Sequence, residues 1–253
     1  MQDNRTALVI GGTQGIGLAV VKTLNADGRT VAFAGTTDTS VGAARAEVSA
    51  MTPQPVGYVL DVRDRSRILE VIEAVASEHG WISTLVYCAG ISPKIDGVRR
   101  AVEDIPLDEW DDVLAVNLTG ALISVQAVLP AMKERRFGRI VMIGSIAART
   151  LPRFAGASYV ASKSGLAGLA RSIAVEYGAF GITANTIAPG NVASTMTGGA
   201  ESAQNLEAVT RIPLGRIGVP ADIAGMVGFV CSDEAGFING ATIDVAGGEI
   251  MTP

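Results

Sequence analysis

The segment SYVASK contains a tyrosine and a lysine four residues apart, Tyr159 and Lys163. A spacing of four places both side chains on one face of a helix. An ammonium group beside a phenol favours the phenolate, so it lowers a pKa that is otherwise about 10 and allows proton exchange closer to neutral pH. The pair is therefore a candidate general acid/base, although the spacing is also typical of a surface tyrosine packed over a lysine side chain.

Two more polar residues stand where neighbouring elements are expected to end. Ser145 follows the apolar run GRIVMIG, and open α/β sheets bind ligands at the carboxyl ends of such strands. Asn117 interrupts a long helical pattern from about 107 to 135, and a polar side chain beside a helix break can bind a water. A phenol, an ammonium, a hydroxyl and an amide in one place would handle the proton of a substrate hydroxyl or carbonyl group.

A glycine-rich turn precedes this set. The sequence GGTQGIG places Gly11, Gly15 and Gly17 between an apolar strand, TALVI, and a helix-like segment, GLAVVKTLNADG. Glycines at such a turn let the backbone approach a pyrophosphate, whose charge is stabilised at the helix N-terminus. The spacing is one residue wider at the front than the usual dinucleotide fingerprint, and a tight turn without a ligand is the alternative. Its place within a βαβ unit favours the dinucleotide site.

Strand-like and helix-like segments alternate along the whole chain, which is typical of a parallel sheet covered by helices on both faces. We therefore predict an α/β fold with a doubly wound, seven-stranded parallel sheet, a Rossmann fold. No repeat or linker divides the chain, so we expect one domain over 1–253, with a substrate loop at about 191–218. The predicted strands are TALVI, TVAFAG, VGYVLDV, STLVYCAG, GRIVMIGS, GITANTIAPG and GATIDVAGG.

Composition narrows the possible partners. The 253-residue chain has a net charge of −5, which argues against nucleic acid or an anionic membrane as a partner. No apolar run approaches the ~18 residues of a membrane span, and the N-terminus lacks the basic region of a signal peptide. We expect a cytoplasmic protein in which Cys88 and Cys231 are buried thiols. No metal-ligand spacing is present, and the single histidine, His79, is expected to cap a helix or lie on the surface.

Taken in order, these motifs resemble the short-chain dehydrogenase/reductase family. The resemblance includes GGTQGIG, LDV at 60–62, CAG at 88–90, NLTG at 117–120, GS at 144–145, YVASK at 159–163 and PG at 189–190. It implies that Tyr159 is the general acid/base and that Ser145 orients the substrate carbonyl. It also implies that Lys163 binds the nicotinamide ribose and lowers the pKa of the tyrosine, and that Asn117 holds a water in the proton relay.

The resemblance also implies a set of residues that contact the cofactor. Two departures from the family's motifs, Ile10 and the Tyr87–Cys88 pair in YCAG, remove side-chain hydrogen bonds that would support the cofactor loops. The implied contacts are Gly11, Thr13, Gln14, Gly15, Ile16, Gly17, Thr36, Thr37, Asp61, Val62, Ala89, Gly90, Tyr159, Lys163, Pro189, Gly190, Val192 and Ser194.

Cofactor choice depends on the end of the second strand. In the family, NAD-selective members have an acid at the position of Gly35, and NADP-selective members often have a base at the position of Thr36 or of Gln14. This chain has neither. Because the hydroxyls of Thr36 and Thr37 can donate hydrogen bonds to a 2′-phosphate, we predict NADP(H) over NAD(H). We assign Asp38 to the cap of the following helix rather than to the ribose.

The predicted function is hydride transfer between NADP(H) and a carbonyl or secondary alcohol. A 3-oxoacyl thioester is the first candidate substrate, because the layout resembles the acyl-carrier-protein reductases of the family. An NAD(H)-dependent dehydrogenase of a sugar, polyol or other small alcohol is the alternative, and a non-catalytic dinucleotide-binding regulator is an alternative of another class. We expect Arg211 to be a solvated surface residue.

A homotetramer is expected to pack through the helix after Tyr159. The residues expected in this interface are Leu166, Leu169, Ala170 and Ile173 beside Gly165 and Gly168.

Overall fold

The computed structural model describes residues 5–95, 97–150, 154–193 and 203–251. In this part of the chain seven parallel strands form one sheet in the order β3-β2-β1-β4-β5-β6-β7, which confirms the predicted topology. The strands are β1 Thr6–Ile10, β2 Thr30–Gly35, β3 Val56–Val59, β4 Ile82–Tyr87, β5 Gly138–Ile143, β6 Ile182–Pro189 and β7 Thr242–Val245. The helices are α1 Gly15–Ala26, α2 Asp38–Glu47, α3 Arg65–His79, α4 Leu107–Leu114, α5 Gly120–Arg135, α6 Ala157–Tyr177, α7 Ala203–Val209 and α8 Pro220–Val230.

Helices cover both faces of the sheet. Because successive side chains of a strand point to opposite faces, Leu8 and Ile10 of β1 join the core beneath α3, α5 and α6. Val9 joins the core beneath α1, α2 and α8. All five residues of β1 are buried, as expected of a strand covered on both sides. The central strands therefore form a rigid base, and their carboxyl ends meet along one edge.

Several strands end earlier than the sequence predicted. β3 ends at Val59 rather than at Asp61, and β5 ends at Ile143 rather than at Ser145. One further backbone bond ties each connection to the sheet: Leu60 N donates to Gly35 O at 2.8 Å, and Gly144 N donates to Ile187 O at 2.7 Å. The polar residues that follow the strands therefore lie in connections just beyond the carboxyl edge.

The start of α2 corrects the assignment of Asp38. The N-cap residue of α2 is Thr37, whose side-chain oxygen accepts a hydrogen bond from Ser40 N at 3.1 Å. Asp38 is the first residue of the helix, where a carboxylate is stabilised by the positive end of the helix dipole. The cap is thus one residue earlier than predicted, because an extended residue with a short hydroxyl side chain satisfies the free N–H groups.

The predicted interruption near Asn117 is a π-helical turn over Ala115–Thr119, which joins α4 to α5 in one helical stretch. By length and composition alone this stretch, Leu107–Arg135, is long and apolar enough to cross a membrane. That result differs from our expectation that no apolar run approaches this length. Half of its most apolar window is buried inside the protein, so packing against the sheet and the neighbouring helices accounts for its apolar character.

The packing of α6 places several residues of the predicted subunit interface inside the protomer. Leu166, Ala170 and Ile173 are at most 3% exposed, because they belong to the core between α6 and the sheet. A Cβ at Gly165 would lie 2.8 Å from a methyl group of Leu118, so this glycine also serves packing within the protomer. These three apolar residues are therefore used inside the subunit, whereas Leu169 and Gly168 of the predicted interface are only partly buried. The interface itself stays a prediction.

Candidate active site

Tyr159 and Ser145 are joined by a side-chain hydrogen bond. Ser145 follows β5, while Tyr159 lies in the first turn of α6. Ser145 is also the N-cap of a short 3₁₀ turn, since its Oγ accepts a hydrogen bond from Ala147 N at 3.1 Å. This cap fixes the serine hydroxyl, and the helix fixes the phenol. The two hydroxyl groups therefore face the carboxyl edge of the sheet together, where each can contact the same substrate oxygen.

Lys163 lies one helical turn after Tyr159 and is only 4% exposed. Its Nζ is 5.7 Å from the centroid of the Tyr159 ring and donates a hydrogen bond to Ile143 O at 2.8 Å. A Cβ at Gly90 would lie 3.1 Å from this Nζ, so the turn after β4 passes close above the ammonium group. Lys163 therefore links the end of β5, the cleft residue Gly90 and the phenol.

Burial shifts the pKa values of both members of the pair. Burial raises the pKa of Tyr159 above its usual value, and the hydrogen bond with Ser145 opposes this effect. Burial lowers the pKa of Lys163 to about 8, opposed by the nearby Cys88 thiol. Burial is thus the larger of the two effects on the pKa of Tyr159, and the predicted lowering of this pKa by Lys163 stays a prediction. Tyr159 is protonated at neutral pH, the form in which it can give a proton to a carbonyl oxygen.

Asn117 is fully buried in the π-helical turn. Its Oδ1 accepts a hydrogen bond from Ile91 N at 2.8 Å, and its Nδ2 donates to Ile91 O at 3.0 Å and to Ser162 Oγ at 2.9 Å. Ser162 Oγ in turn donates to Tyr159 O at 2.7 Å. The Asn117 side chain therefore fixes the turn after β4 against α6, next to Tyr159. Its predicted role in holding a water stays a prediction.

The glycine turn after β1 fits a dinucleotide pyrophosphate. Gly11 has a φ of +82°, and a Cβ there would lie 2.6 Å from Ala89 N. A Cβ at Gly17 would overlap the Gly11 carbonyl oxygen. The N-cap of α1, Gln14, makes no side-chain cap hydrogen bond, which leaves the first N–H groups of the helix to an anion. The candidate pyrophosphate site therefore depends on the absence of side chains at Gly11 and Gly17.

The other predicted cofactor contacts follow the strand ends along the same edge. Thr36 is exposed just after β2, whereas the Thr37 hydroxyl is engaged in capping α2. The Asp61 carboxylate is paired with Arg63 at 2.6 Å, and this hydrogen bond lowers the pKa of Asp61. Val62 and Val192 are buried, and Ser194 lies outside the described residues. The residues that flank β1, β4 and β6 at this edge are Thr13, Gly15, Ile16, Ala89, Gly90, Pro189 and Gly190.

Sequence reasoning missed a contact between Gly35 and Thr13. A Cβ at Gly35 would overlap the Thr13 methyl group and lie 2.9 Å from its hydroxyl oxygen. Thr13 therefore fills the space in which an acidic side chain at position 35 would begin. No pattern in the sequence could reveal this contact, because the two residues belong to different strand–helix connections.

Arg211 is not a solvated surface residue. Its guanidinium pairs with Glu207 at 2.8 Å and with Glu249 at 3.5 Å, and it is 5.8 Å from the centroid of the Phe154 ring. Asn191 Nδ2 donates to both carboxylate oxygens of Glu249, at 2.9 and 2.8 Å. The predicted loop at 191–218, where described, contains α7 and a bridge between Val192 and Gly218. Arg211 is thus committed to holding this loop against the C-terminal segment.

Two cavities lined by described residues lie away from the catalytic set. A cavity of about 640 Å³ lies near the amino ends of β1, β4 and β5 and is lined by Arg5, Arg29 and Phe137, among others. A smaller one of about 190 Å³ lies at the carboxyl edge beside Asn191 and Val245. We place the site at the carboxyl edge because the Ser145–Tyr159 hydrogen bond and the glycine turn are there. Within the described ranges, no three His, Cys, Asp or Glu side chains come together as a metal site.

Comparisons with known proteins agree with this geometry. A family model described as enoyl-(acyl carrier protein) reductase matches residues 11–249. The chain is 36% identical over 249 residues to a 3-oxoacyl-[acyl-carrier-protein] reductase of Escherichia coli, covering 98% of each chain. A 3-oxoacyl-[acyl-carrier protein] reductase from Brucella melitensis with bound NAD superposes with a TM-score of 0.91 at 32% identity, over 99% of this chain and 93% of that one.

A further solved structure is relevant to the cofactor. A blue fluorescent protein from a metagenomic library, in complex with NADPH, superposes with a TM-score of 0.88 at 30% identity and covers 98% of both chains. The similarity extends over nearly the whole chain in each comparison, and the sheet order, the glycine turn and the Ser145–Tyr159–Lys163 arrangement are present together. The chain belongs to the short-chain dehydrogenase/reductase family of NAD(P)-dependent oxidoreductases.

Proposed function

We propose that the protein reduces the 3-oxo group of an acyl thioester with NADPH, and that Tyr159 supplies the proton. The observation that carries this proposal is the hydrogen bond between Tyr159 and Ser145 beside the buried Lys163. A carbonyl oxygen between the two hydroxyl groups would receive hydrogen bonds from both. The acyl-carrier-protein reductases to which the chain is similar support the substrate class.

The residues of the chain account for the proton's path. NADPH, when bound, supplies the hydride that attacks the carbonyl carbon. Tyr159 Oη gives its proton to the carbonyl oxygen, while the Ser145 hydroxyl holds that oxygen in place. The Lys163 ammonium, beneath the phenol, favours the phenolate that remains. In the reverse direction the phenolate takes the proton from the alcohol. Asn117 keeps the turn after β4 and α6 in register, so that the phenol stays at the edge of the cleft.

The preference for NADP(H) over NAD(H) is also part of the proposal. The crowding of position 35 by Thr13 supports it, since no acid stands where it would repel a 2′-phosphate. Of the two threonines proposed to meet that phosphate, Thr36 is the better candidate, because the Thr37 hydroxyl already caps α2. The similar structures include one with NAD and one with NADPH, so the choice must be measured on this protein.

The alternatives concern the substrate and the class of protein. The family model's description names an enoyl thioester, whose reduction delivers the proton to carbon rather than to oxygen. Two hydroxyl groups that converge on one oxygen position favour a carbonyl. A sugar or polyol with NAD(H) remains the alternative substrate class. A purely cofactor-binding regulator would have no need of a phenol and an ammonium in this arrangement.

A substrate panel with NADPH or NADH oxidation as the readout tests these proposals. We expect acetoacetyl thioesters to be reduced, crotonyl thioesters and small sugars to be poor substrates, and kcat/KM to be higher with NADPH than with NADH. Absence of turnover with acetoacetyl thioesters alongside turnover of a sugar or polyol would contradict the substrate assignment. A higher kcat/KM with NADH would contradict the cofactor assignment.

We also propose a cytoplasmic homotetramer that binds neither nucleic acid nor membranes. Leu166, Ala170 and Ile173 of α6 are buried within the subunit and cannot contribute to its interface, whereas Leu169 and Gly168 are partly exposed and can. The exposed apolar residues Leu122 of α5, 39% exposed, and Val175 of α6, 86% exposed, are further candidates. Light scattering should give a mass of four chains, and a monomer-sized particle would contradict the proposal.

A further inference from the structure

We propose that Tyr87 is a positioning residue for the reaction: its hydroxyl holds the π-helical turn that carries Asn117. The proposal rests on the proposed function, because the reaction is its main readout. Tyr87 stands in YCAG, one of the departures from the family's motif. We predicted that this departure removes side-chain support from the cofactor loops. The Tyr87 hydroxyl makes a hydrogen bond elsewhere, to the helical stretch that carries Asn117.

Tyr87 is the last residue of β4 and is 1% exposed. Its hydroxyl donates a hydrogen bond to Val116 O at 2.6 Å. Val116 lies inside the π-helical turn and immediately precedes Asn117. The wider hydrogen bonding of a π turn departs from the α-helical pattern on either side, so a donor from the sheet can fix where the turn occurs. Tyr87 thereby ties the end of β4 to the turn.

The position of the Tyr87 hydroxyl requires a glycine at position 120. A Cβ at Gly120 would lie 2.5 Å from Tyr87 Oη and 2.9 Å from Val62 Cβ, so only a glycine fits at the start of α5. Burial raises the pKa of Tyr87 far above its usual value, and the hydroxyl therefore remains a donor at any working pH. The phenol, the glycine and the π turn form one packed unit.

The contact reaches the catalytic tyrosine through hydrogen bonds. The Val116 carbonyl is adjacent in sequence to Asn117, whose amide binds Ile91 and Ser162. Ser162 Oγ donates to the Tyr159 carbonyl. A shift of the π turn would therefore move Asn117 and loosen the start of α6. Tyr87 acts through Asn117 and does not touch the reacting atoms.

The test is Tyr87→Phe, which removes only the hydroxyl. Because a buried carbonyl loses its donor, we expect kcat to fall on the order of tenfold, with little change in the KM for NADPH. The matched control is Tyr58→Phe, whose hydroxyl binds Glu78 and His79 away from the site. This control should keep the parent kcat. An unchanged kcat in Tyr87→Phe would overturn the proposal.

A double-mutant cycle with Asn117→Ala separates positioning from general destabilisation. If Tyr87 acts through Asn117, its removal should cost little more in kcat once Asn117 is gone. Fully additive losses would overturn the proposal. A third measurement needs no substrate: amide hydrogen exchange over 115–120 should be faster in Tyr87→Phe than in Tyr58→Phe. Equal exchange in both variants would overturn it, even if the proposed function itself proved wrong.

Discussion

At the residue scale, the chemistry depends on how burial sets two pKa values. The helical spacing of Tyr159 and Lys163 could be read from the sequence, but their burial could not. Burial opposes charge on both groups, so the pKa of the phenol rises and the pKa of the ammonium falls to about 8. Near neutral pH the protein without cofactor therefore contains a protonated Tyr159 next to a protonated Lys163. Burial of the Lys163 ammonium group costs free energy.

Lys163 should make stability depend on pH in a defined direction. Its folded pKa of about 8 lies below its usual value of 10.5, so between these values the unfolded state binds more protons and stability rises with pH. Lys163→Met removes this contribution. The stability of the variant relative to the parent should therefore decrease by about 3 kcal/mol between pH 8 and pH 10.5, since one pKa unit corresponds to about 1.4 kcal/mol.

Urea unfolding of the parent and of Lys163→Met across this pH range measures that difference. The thiols of Cys88 and Cys231 also contribute in this range, because they lose their protons near pH 9 when unfolded, whereas burial raises the pKa of each to about 12 in the folded protein. Because Lys163 lowers the pKa of the Cys88 thiol, both proteins carry Cys88→Ala. Cys231 is common to the two, so the difference between the two curves isolates Lys163. A difference that does not change with pH would show that the ammonium is not buried as the structure has it.

At the element scale, the periodicity of the sequence predicted the order and nature of the strands and most helices. Patterns that repeat every two or 3.6 residues locate buried faces well. They locate the ends of helices and strands poorly, because each end is decided by one or two hydrogen bonds or side-chain contacts. Thr37 rather than Asp38 caps α2, and β3 stops at Val59. The apolar residues of α6 were predicted to pack against a partner subunit, but the sequence could not show that Leu166, Ala170 and Ile173 are buried within the protomer.

The contact between the β1–α1 turn and the end of β2 leads to a prediction about cofactor choice. Gly35→Asp alone should weaken the binding of both NADPH and NADH, since its Cβ would overlap the Thr13 methyl group. Removing that methyl group as well, in Thr13→Gly with Gly35→Asp, should restore binding and favour NADH. An acid there can hydrogen-bond the ribose hydroxyls and repel a 2′-phosphate.

Fluorescence titration of both cofactors into the parent, the single variants and the double variant measures this coupling. Thr13→Gly alone is the control, and we expect it to keep the parent's preference. If Gly35→Asp by itself binds NADPH as tightly as the parent does, then Thr13 does not limit position 35.

At the scale of the whole molecule, the parallel sheet brings to one edge groups that are far apart in the sequence. Gly11, Asn117, Ser145 and Tyr159 follow different strands or begin different helices, yet all lie where the strands end. Their convergence could be predicted, because the carboxyl ends of parallel strands share an edge. The Tyr87–Val116 bond and the Gly35–Thr13 contact could not, since each depends on side-chain packing between elements distant in the chain.

The measurement that tests the central claim most directly is the kcat/KM of Tyr159→Phe for acetoacetyl thioester reduction with NADPH. Tyr177→Phe, at the other end of the same helix, is the matched control. General acid catalysis contributes roughly 100- to 10,000-fold to the rate, so we expect the kcat/KM of Tyr159→Phe to fall at least about 100-fold. Its affinity for NADPH should stay near that of the parent, and the control should stay active. A Tyr159→Phe enzyme that retains activity within a few-fold of the parent would contradict the account.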